Sequence, residues 1–263
     1  MKTLMLTAAL VAAVTSVSFA HDTWMVATPP RVKSGGAVEL HVTTGEAFPA
    51  YETAPKASRL KSCEWRIGGR QGSLSDFKQE AKSLVAKGRV NTDGVAVVYA
   101  EFHPVEIDLS PEEVVEYMDE IGAPESVRRA WQEDGPDAKF HETYHKHAKT
   151  YLRVGDSGDA KGCLGPVGFN IDFLPERDPT SLKPGETLTI KVIRGGDELS
   201  GLSVGAVREN GKQTMHRTNQ NGMVALEIDA PGWWLVRATE LRRKADGTWE
   251  SDFTTLTFFV END

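Results

Sequence analysis

The 263-residue chain carries 30 basic and 38 acidic residues, a formal net charge of −8, and two cysteines. That balance repels nucleic acid and anionic membrane surfaces and mildly favours cations, and no basic patch interleaved with aromatics argues otherwise. Beyond the N-terminal apolar run, no second stretch approaches the ~20 apolar residues a spanning helix needs.

Met1–Ala20 has the three parts of a secretory signal. Lys2 supplies the positive end, Leu4–Val14 is almost wholly apolar, and Ser18 and Ala20 form a small-x-small cleavage site. The expectation is a periplasmic protein whose mature chain starts at His21. A first-residue histidine offers its α-amino group and its imidazole together, a bidentate claw for nickel, cobalt, copper or zinc.

Val38, Leu40 and Val42 alternate with Glu39, His41 and Thr43, the pattern of a half-buried strand. Leu60–Ile67 and Val95–Phe102 are further strands, with turns at Gly35-Gly36, Gly68-Gly69 and Asp93-Gly94. The stretch 73–88 is polar and weakly patterned and reads as a loop. In an exported chain an even, minimal cysteine count suggests one disulfide, Cys63–Cys163. Closing a loop of roughly 100 residues constrains the unfolded chain by about 4–5 kcal/mol in the entropic account. Two unrelated buried thiols are the alternative.

A helical excursion is expected over about 110–152. Ser110-Pro111-Glu112-Glu113 is a capping box with proline at the first helical position. A second helix starts near Pro124, buries Val127 and Trp131, and ends at Gly135-Pro136. A third, from about Asp137 to Tyr151, sets Phe140, Tyr144, Ala148 and Tyr151 four, four and three apart, a single buried stripe. Phe169–Leu174 then reads as a strand and 175–184 as a linker. Short strands and turns follow, including Leu188/Ile190/Val192, Trp233–Ala238 and Phe253–Val260. The fold class is therefore mainly β: two immunoglobulin-like β-sandwich modules, the first with a helical insertion. The division is 1–20 signal peptide, 21–174 N-terminal β domain and 175–263 C-terminal immunoglobulin-like domain.

His41 and His216 read as solvated, and His103, closing a strand before Pro104, is a spare ligand candidate. On the expected third helix His147 falls in the apolar stripe, whereas His141 and His145 share an adjacent face and can grip one metal. The run His141-Glu142-Thr143-Tyr144-His145 also spells H-E-x-x-H, two zinc ligands and a general base on one helical face. The continuation Lys146-His147-Ala148 lacks the third histidine of the metzincin pattern. No G-x-S-x-G elbow, phosphate loop or dinucleotide fingerprint is present, and no catalytic residue is assigned.

A set of short motifs recurs in order along the chain. They are His21-Asp22-x-Trp24, Gly45-Glu46-x-Phe48, Tyr144…Ala148-Lys149 with Val154-Gly155, and Pro175-Glu176-Arg177-Asp178-Pro179. Leu182-x-Pro184-Gly185, Gly232-Trp233-Trp234 and Trp249-Glu250-Ser251…Thr255-Leu256-Thr257-Phe258 complete the set. In this the chain resembles the DUF4198 family, exported bacterial proteins that include the NikM-like group linked to nickel and cobalt uptake. The resemblance implies an exported, β-rich protein tied to metal uptake, and it carries over only His21.

The leading reading is a periplasmic divalent transition-metal binding protein that serves a membrane metal transporter. His21 supplies both its nitrogens, His141 and His145 complete the site, and His103 stands in reserve. Affinity then falls as pH drops through about 6–7. The alternatives are a zinc-dependent hydrolase on His141, Glu142 and His145, a copper histidine-brace protein, and a metal-free adhesive or scaffold protein.

Overall fold

Period-two alternation dominates the chain, and a computed structural model, which describes residues 21–135 and 138–262, turns it into a layered β structure. The expected signal segment, residues 1–20, lies outside the described residues. The first strands are β1 (Asp22–Thr28), β2 (Arg31–Val32), β3 (Gly36–Gly45), β4 (Leu60–Ile67) and β5 (Arg70–Ser73). Next come β6 (Phe77–Gln79), β7 (Leu84–Val90), β8 (Gly94–Phe102) and β9 (Val105–Leu109). Two helices follow, α1 (Pro111–Glu120) and α2 (Glu125–Glu133), then the long β10 (Phe140–Val154). The remaining strands are β11 (Ile171–Pro175), β12 (Glu186–Arg194), β13 (Asp197–Glu198), β14 (Ser203–Arg208) and β15 (Gln213–Arg217). The chain closes with β16 (Met223–Ile228), β17 (Gly232–Arg243) and β18 (Trp249–Val260).

A central sheet runs β15-β14-β17-β18-β10-β8-β4-β5, with β2 and β9 also paired to β10. A sheet ordered β1-β3-β7-β6 covers one of its faces, where Met25, Leu40, Val42 and Leu84 meet Ile67, Ala148 and Leu152. The sheet β11-β12-β13, with β16 beside β12, covers the other. There Phe173, Leu188 and Ile190 meet Val97, Tyr151, Leu256 and Phe258. The protein is thus mainly β and sandwich-like, as its sequence pattern predicts. Strands from both sides of the expected boundary at 174/175 share the central sheet, because β10 pairs in parallel with β18 from Glu142↔Trp249 to Thr150↔Thr257.

The two helices form as expected. Ser110 Oγ accepts from the Glu113 amide at 3.3 Å, and Glu113 Oε2 accepts from the Ser110 amide at 2.7 Å, the reciprocal capping box. Val114, Tyr117 and Met118 bury against Phe140, Trp249 and Phe253. Among the described residues no helix is long and apolar enough to cross a membrane.

The expected third helix is instead β10. A spacing of four is an even number of strand residues, so Phe140, Tyr144 and Ala148 share a strand face as readily as a helix face. Thr143, Tyr144, Thr150, Tyr151 and Val154 favour the pleated backbone, and β8, β9 and β18 offer it ladders. The stretch expected as a loop, 73–88, contributes the end of β5, all of β6 and most of β7. Its short polar edge strands gain order from pairing rather than from pattern.

The expected Cys63–Cys163 disulfide is not formed, and both cysteines are free and buried. Cys63 faces the core beneath β3 and β7, whereas Cys163 packs on the opposite side of the central sheet and donates to Val95 O at 3.0 Å. The sheet stands between the two sulfurs. Burial pushes the Cys63 thiol up to about 12, which makes it inert as a nucleophile. Both thiols are expected to react with an aromatic disulfide reagent once the chain is unfolded without prior reduction. A reductant should leave the thermal midpoint unchanged.

Lys149 of β10 and Asp172 of β11 are both fully buried, with Nζ 2.5 Å from Oδ1. Asp172 Oδ2 accepts from the Val167 amide at 2.8 Å, and Lys149 also donates to Phe173 O. Burial holds the Lys149 ammonium below its ordinary pKa, and the Asp172 carboxylate opposes this. The pair stitches the central sheet to the sheet above it. Replacing only Lys149 with Met or only Asp172 with Leu should lower the unfolding free energy by about 3–5 kcal/mol, because a lone charge stays buried. The double variant should recover most of that loss in urea unfolding.

Candidate functional site

Strand β1 fixes the position of His21. Its register with β3, Asp22↔Gly45 and Thr23↔Thr44, sets residue 21 beside residue 46. Thr255 Oγ1 donates to Thr23 O at 2.6 Å and Thr257 Oγ1 to Met25 O at 2.5 Å, tying β1 across the β10–β18 seam. Lys146 Nζ donates to His21 O at 2.5 Å, and Arg237 pairs with the buried Asp22 at 2.8 Å. The residue after the expected cleavage point is therefore held by its own carbonyl and by the strand that follows it.

The His21 imidazole lies at a cleft of about 230 Å³ lined by Asp22, Trp24, Glu46, Glu120, Gln213 and Arg237, among others. Its Nε2 is 3.0 Å from Glu46 Oε1. Burial pushes the Asp22 carboxyl up, opposed by the Arg237 guanidinium. Loss of hydration brings the Lys146 ammonium down to about 8, against the pull of Asp22, while the rings of Tyr144 and Phe253 lie 5.4 and 5.2 Å from its nitrogen.

The other sequence-predicted ligands are elsewhere. His141 is exposed near the start of β10, with Nδ1 2.8 Å from Asp108 Oδ1, a hydrogen bond that raises its pKa. His145 Nε2 is 3.6 Å from Glu250 Oε1. His103 follows β8, and its backbone exchanges bonds with Arg59, N–H to Arg59 O at 2.8 Å and O from Arg59 Nη2 at 2.9 Å. On a strand, His141 and His145 share a face but stand roughly 13 Å apart along it. Lys146, which reaches His21, projects from the opposite face. The structure therefore does not bring His21, His141 and His145 together. Among the described residues no three His, Cys, Asp or Glu side chains converge to hold a metal.

The H-E-x-x-H geometry likewise fails with the helix. Glu142 points away from both histidines into the core, where it accepts from Tyr117 OH at 2.9 Å and from Ser251 Oγ. Burial pushes its carboxyl up, with the Ser251 and Tyr117 hydrogen bonds opposing. It anchors α1 to the β10–β18 seam.

Residues 18–241 match the profile of a family described as a domain of unknown function, DUF4198. The chain belongs to the DUF4198 family. A search of curated proteins returned no match for this DUF4198 chain. Among solved structures it is similar to a Ca²⁺-stabilised adhesin that helps an Antarctic bacterium bind ice, at 9% identity and a TM-score of 0.26 over 92% of this chain and 49% of that one. A second bacterial ice-binding adhesin gives 12% identity and a TM-score of 0.25 over 92% and 65%. The fibronectin(III)-like modules of Clostridium thermocellum CbhA give 11% and 0.20 over 90% and 94%. The chain spans less than two thirds of the length of either adhesin, and likeness at this level says nothing of function.

Sequence reasoning missed Glu46 as a partner of His21, although it lies in a quoted motif, and it placed His41 in solvent. His41 is buried, stacked on Tyr51 with centroids 4.5 Å apart, and its Nδ1 is 3.2 Å from Ser83 Oγ. His147 is buried against Phe169, with no hydrogen-bond partner for its Nδ1. Burial lowers the pKa of both, with Glu39 opposing at His41 and Asp252 at His147. A histidine depressed in the fold contributes stability above its ordinary value of 6.5. That stability is lost as pH falls through the folded value, because the unfolded chain takes up the proton first. The urea midpoint of the wild type should therefore drop more between pH 7.5 and 5.5 than that of His147→Phe.

Proposed function

We propose that this DUF4198 chain is an exported binding protein for a divalent transition metal, of the nickel and cobalt class that the NikM-like resemblance suggests. The metal is cargo, taken up outside the inner membrane and passed to a membrane transporter. Cleavage after Ala20 frees the α-amine of His21, which with the imidazole supplies two of the nitrogen donors such a metal prefers. Glu46 serves as the carboxylate that orients the imidazole or completes the donor set.

One observation carries this reading. The residue directly after a small-x-small site is pinned by its carbonyl to Lys146, while its ring faces a carboxylate in an open cleft. His141, His145 and His103 take no part in the site. The copper-brace alternative needs a second imidazole beside His21, and the cleft lining supplies none.

Calorimetric titration with Ni²⁺ tests the reading on chains that start at His21 and on chains carrying one extra residue before it. The expected result is tight binding by the first and at least a hundredfold loss in the second. Glu46→Gln should weaken binding about 10- to 100-fold, as outer carboxylate partners of ligating histidines do. Affinity should fall on acidification, because a protonated nitrogen cannot ligate. Equal, tight binding by both chains removes His21 from the site.

A further inference from the structure

The sandwich formed by β3 and β7 over β4, β5 and β8 is incompletely filled at one end. The residues that line it there are small: Ala27, Ala86, Gly88 and Ala96 border a solvent-open pocket of about 320 Å³. Ligand pockets begin near this volume. Gly88 makes the point locally. It lies on the same face of β7 as Leu84, Ala86 and Val90, at an exposed position, and a Cβ placed on it would meet nothing within 4 Å. On the opposite wall the Trp65 indole lies against Gly72, where a Cβ would come within 2.7 Å of the ring. The half-buried Val38, Trp65 and Leu74 carry the apolar wall out toward solvent.

The mouth has a sign. Arg70 pairs with Ile67 in the β4–β5 hairpin and so shares its inward face. Its guanidinium has no hydrogen-bond or ion-pair partner among the described residues. Lys87 and Arg89 border the same opening from the outer face of β7, bonded to Glu39 and to Gly35 O. No carboxylate lines the pocket, although acidic residues outnumber basic ones in the chain as a whole. An apolar cavity with one unpaired, always-charged fork at its rim is complementary to an amphiphile with a planar anionic head.

We propose that this pocket binds a medium-chain fatty acid, its alkyl chain between the two sheets and its carboxylate on Arg70. The site shares no residue with the His21 cleft and does not depend on metal binding.

The test is calorimetric titration of the full chain with octanoate, decanoate and 1-decanol as monomers in solution. Decanoate should bind saturably with a negative heat-capacity change, and each added methylene should tighten binding about fourfold. Arg70→Ser, at an exposed position, should weaken decanoate at least tenfold and leave 1-decanol unchanged. Gly88→Leu should fill the cavity, abolish binding of both and keep or raise the thermal midpoint. His21→Ala should bind decanoate like the wild type, which separates this site from the metal reading. Absence of saturable decanoate binding overturns the proposal, as does wild-type binding by both the Arg70 and Gly88 variants. Decanol binding as tightly as decanoate removes the carboxylate from Arg70 and overturns it equally.

Discussion

Strand β10 must satisfy two cores at once, and the architecture follows from how it does so. Ala148, Leu152 and Val154 enter the core under β3 and β7, while Tyr151 enters the one under β11 and β12. Charged residues on the same strand are costly at that depth, and the two buried deepest are paired, although His147 Nδ1 and Thr150 Oγ1 find no hydrogen-bond partner there. Lys149 meets Asp172, and Glu142 meets Tyr117 and Ser251. A buried pair is weak evidence for net stability, yet breaking one side is severe. These pairs therefore fix which strands lie above β10 more than they add to the fold's free energy. Asp172 admits β11 to its place, and Glu142 admits α1.

Because β10 is shared, the parallel ladder to β18 draws the chain's two halves into one sheet, and β1 lies over the seam. Thr255 and Thr257 reach β1 carbonyls from β18, while Lys146 reaches the His21 carbonyl from β10. The N-terminal strand is thus bound by residues more than 100 positions away. A tail held only by local contacts would sample many positions. This one has His21 located by the middle and the end of the sequence.

The sequence made legible what depends on local chemistry. The Ser110 capping box placed α1, the alternation at 38–43 placed β3, and glycine turns around 60–67 placed β4. It misled where one pattern serves two structures. The spacing of Phe140, Tyr144 and Ala148 fits both a helix and a strand, and His141 with His145 looked like a claw only while the helix stood. The cysteines misled for a related reason, since an even count says nothing of the sheet that separates them. Glu46 was hidden because its nearness to His21 is a matter of register. An antiparallel β1–β3 pair with Asp22 opposite Gly45 brings 21 and 46 together, and no spacing rule within either strand announces it.

The proposed guest of the His21 cleft is a cation, and the wall around it carries charges of both signs. Asp22 and Arg237 cancel each other within the wall. Lys146 spends its ammonium on the His21 carbonyl and on two aromatic faces, and its desolvation shows as a pKa near 8. Glu46, on the imidazole, and Glu120 line the same opening. On the proposed reading a free amine there must lose its proton to ligate, which favours an ion that repays that loss with strong nitrogen bonds. Alkali and alkaline-earth cations, which prefer oxygen, do not. On that reading selectivity rests with the nitrogen pair at residue 21, while Lys146, Thr255 and Arg237 hold residues 21–23 in place.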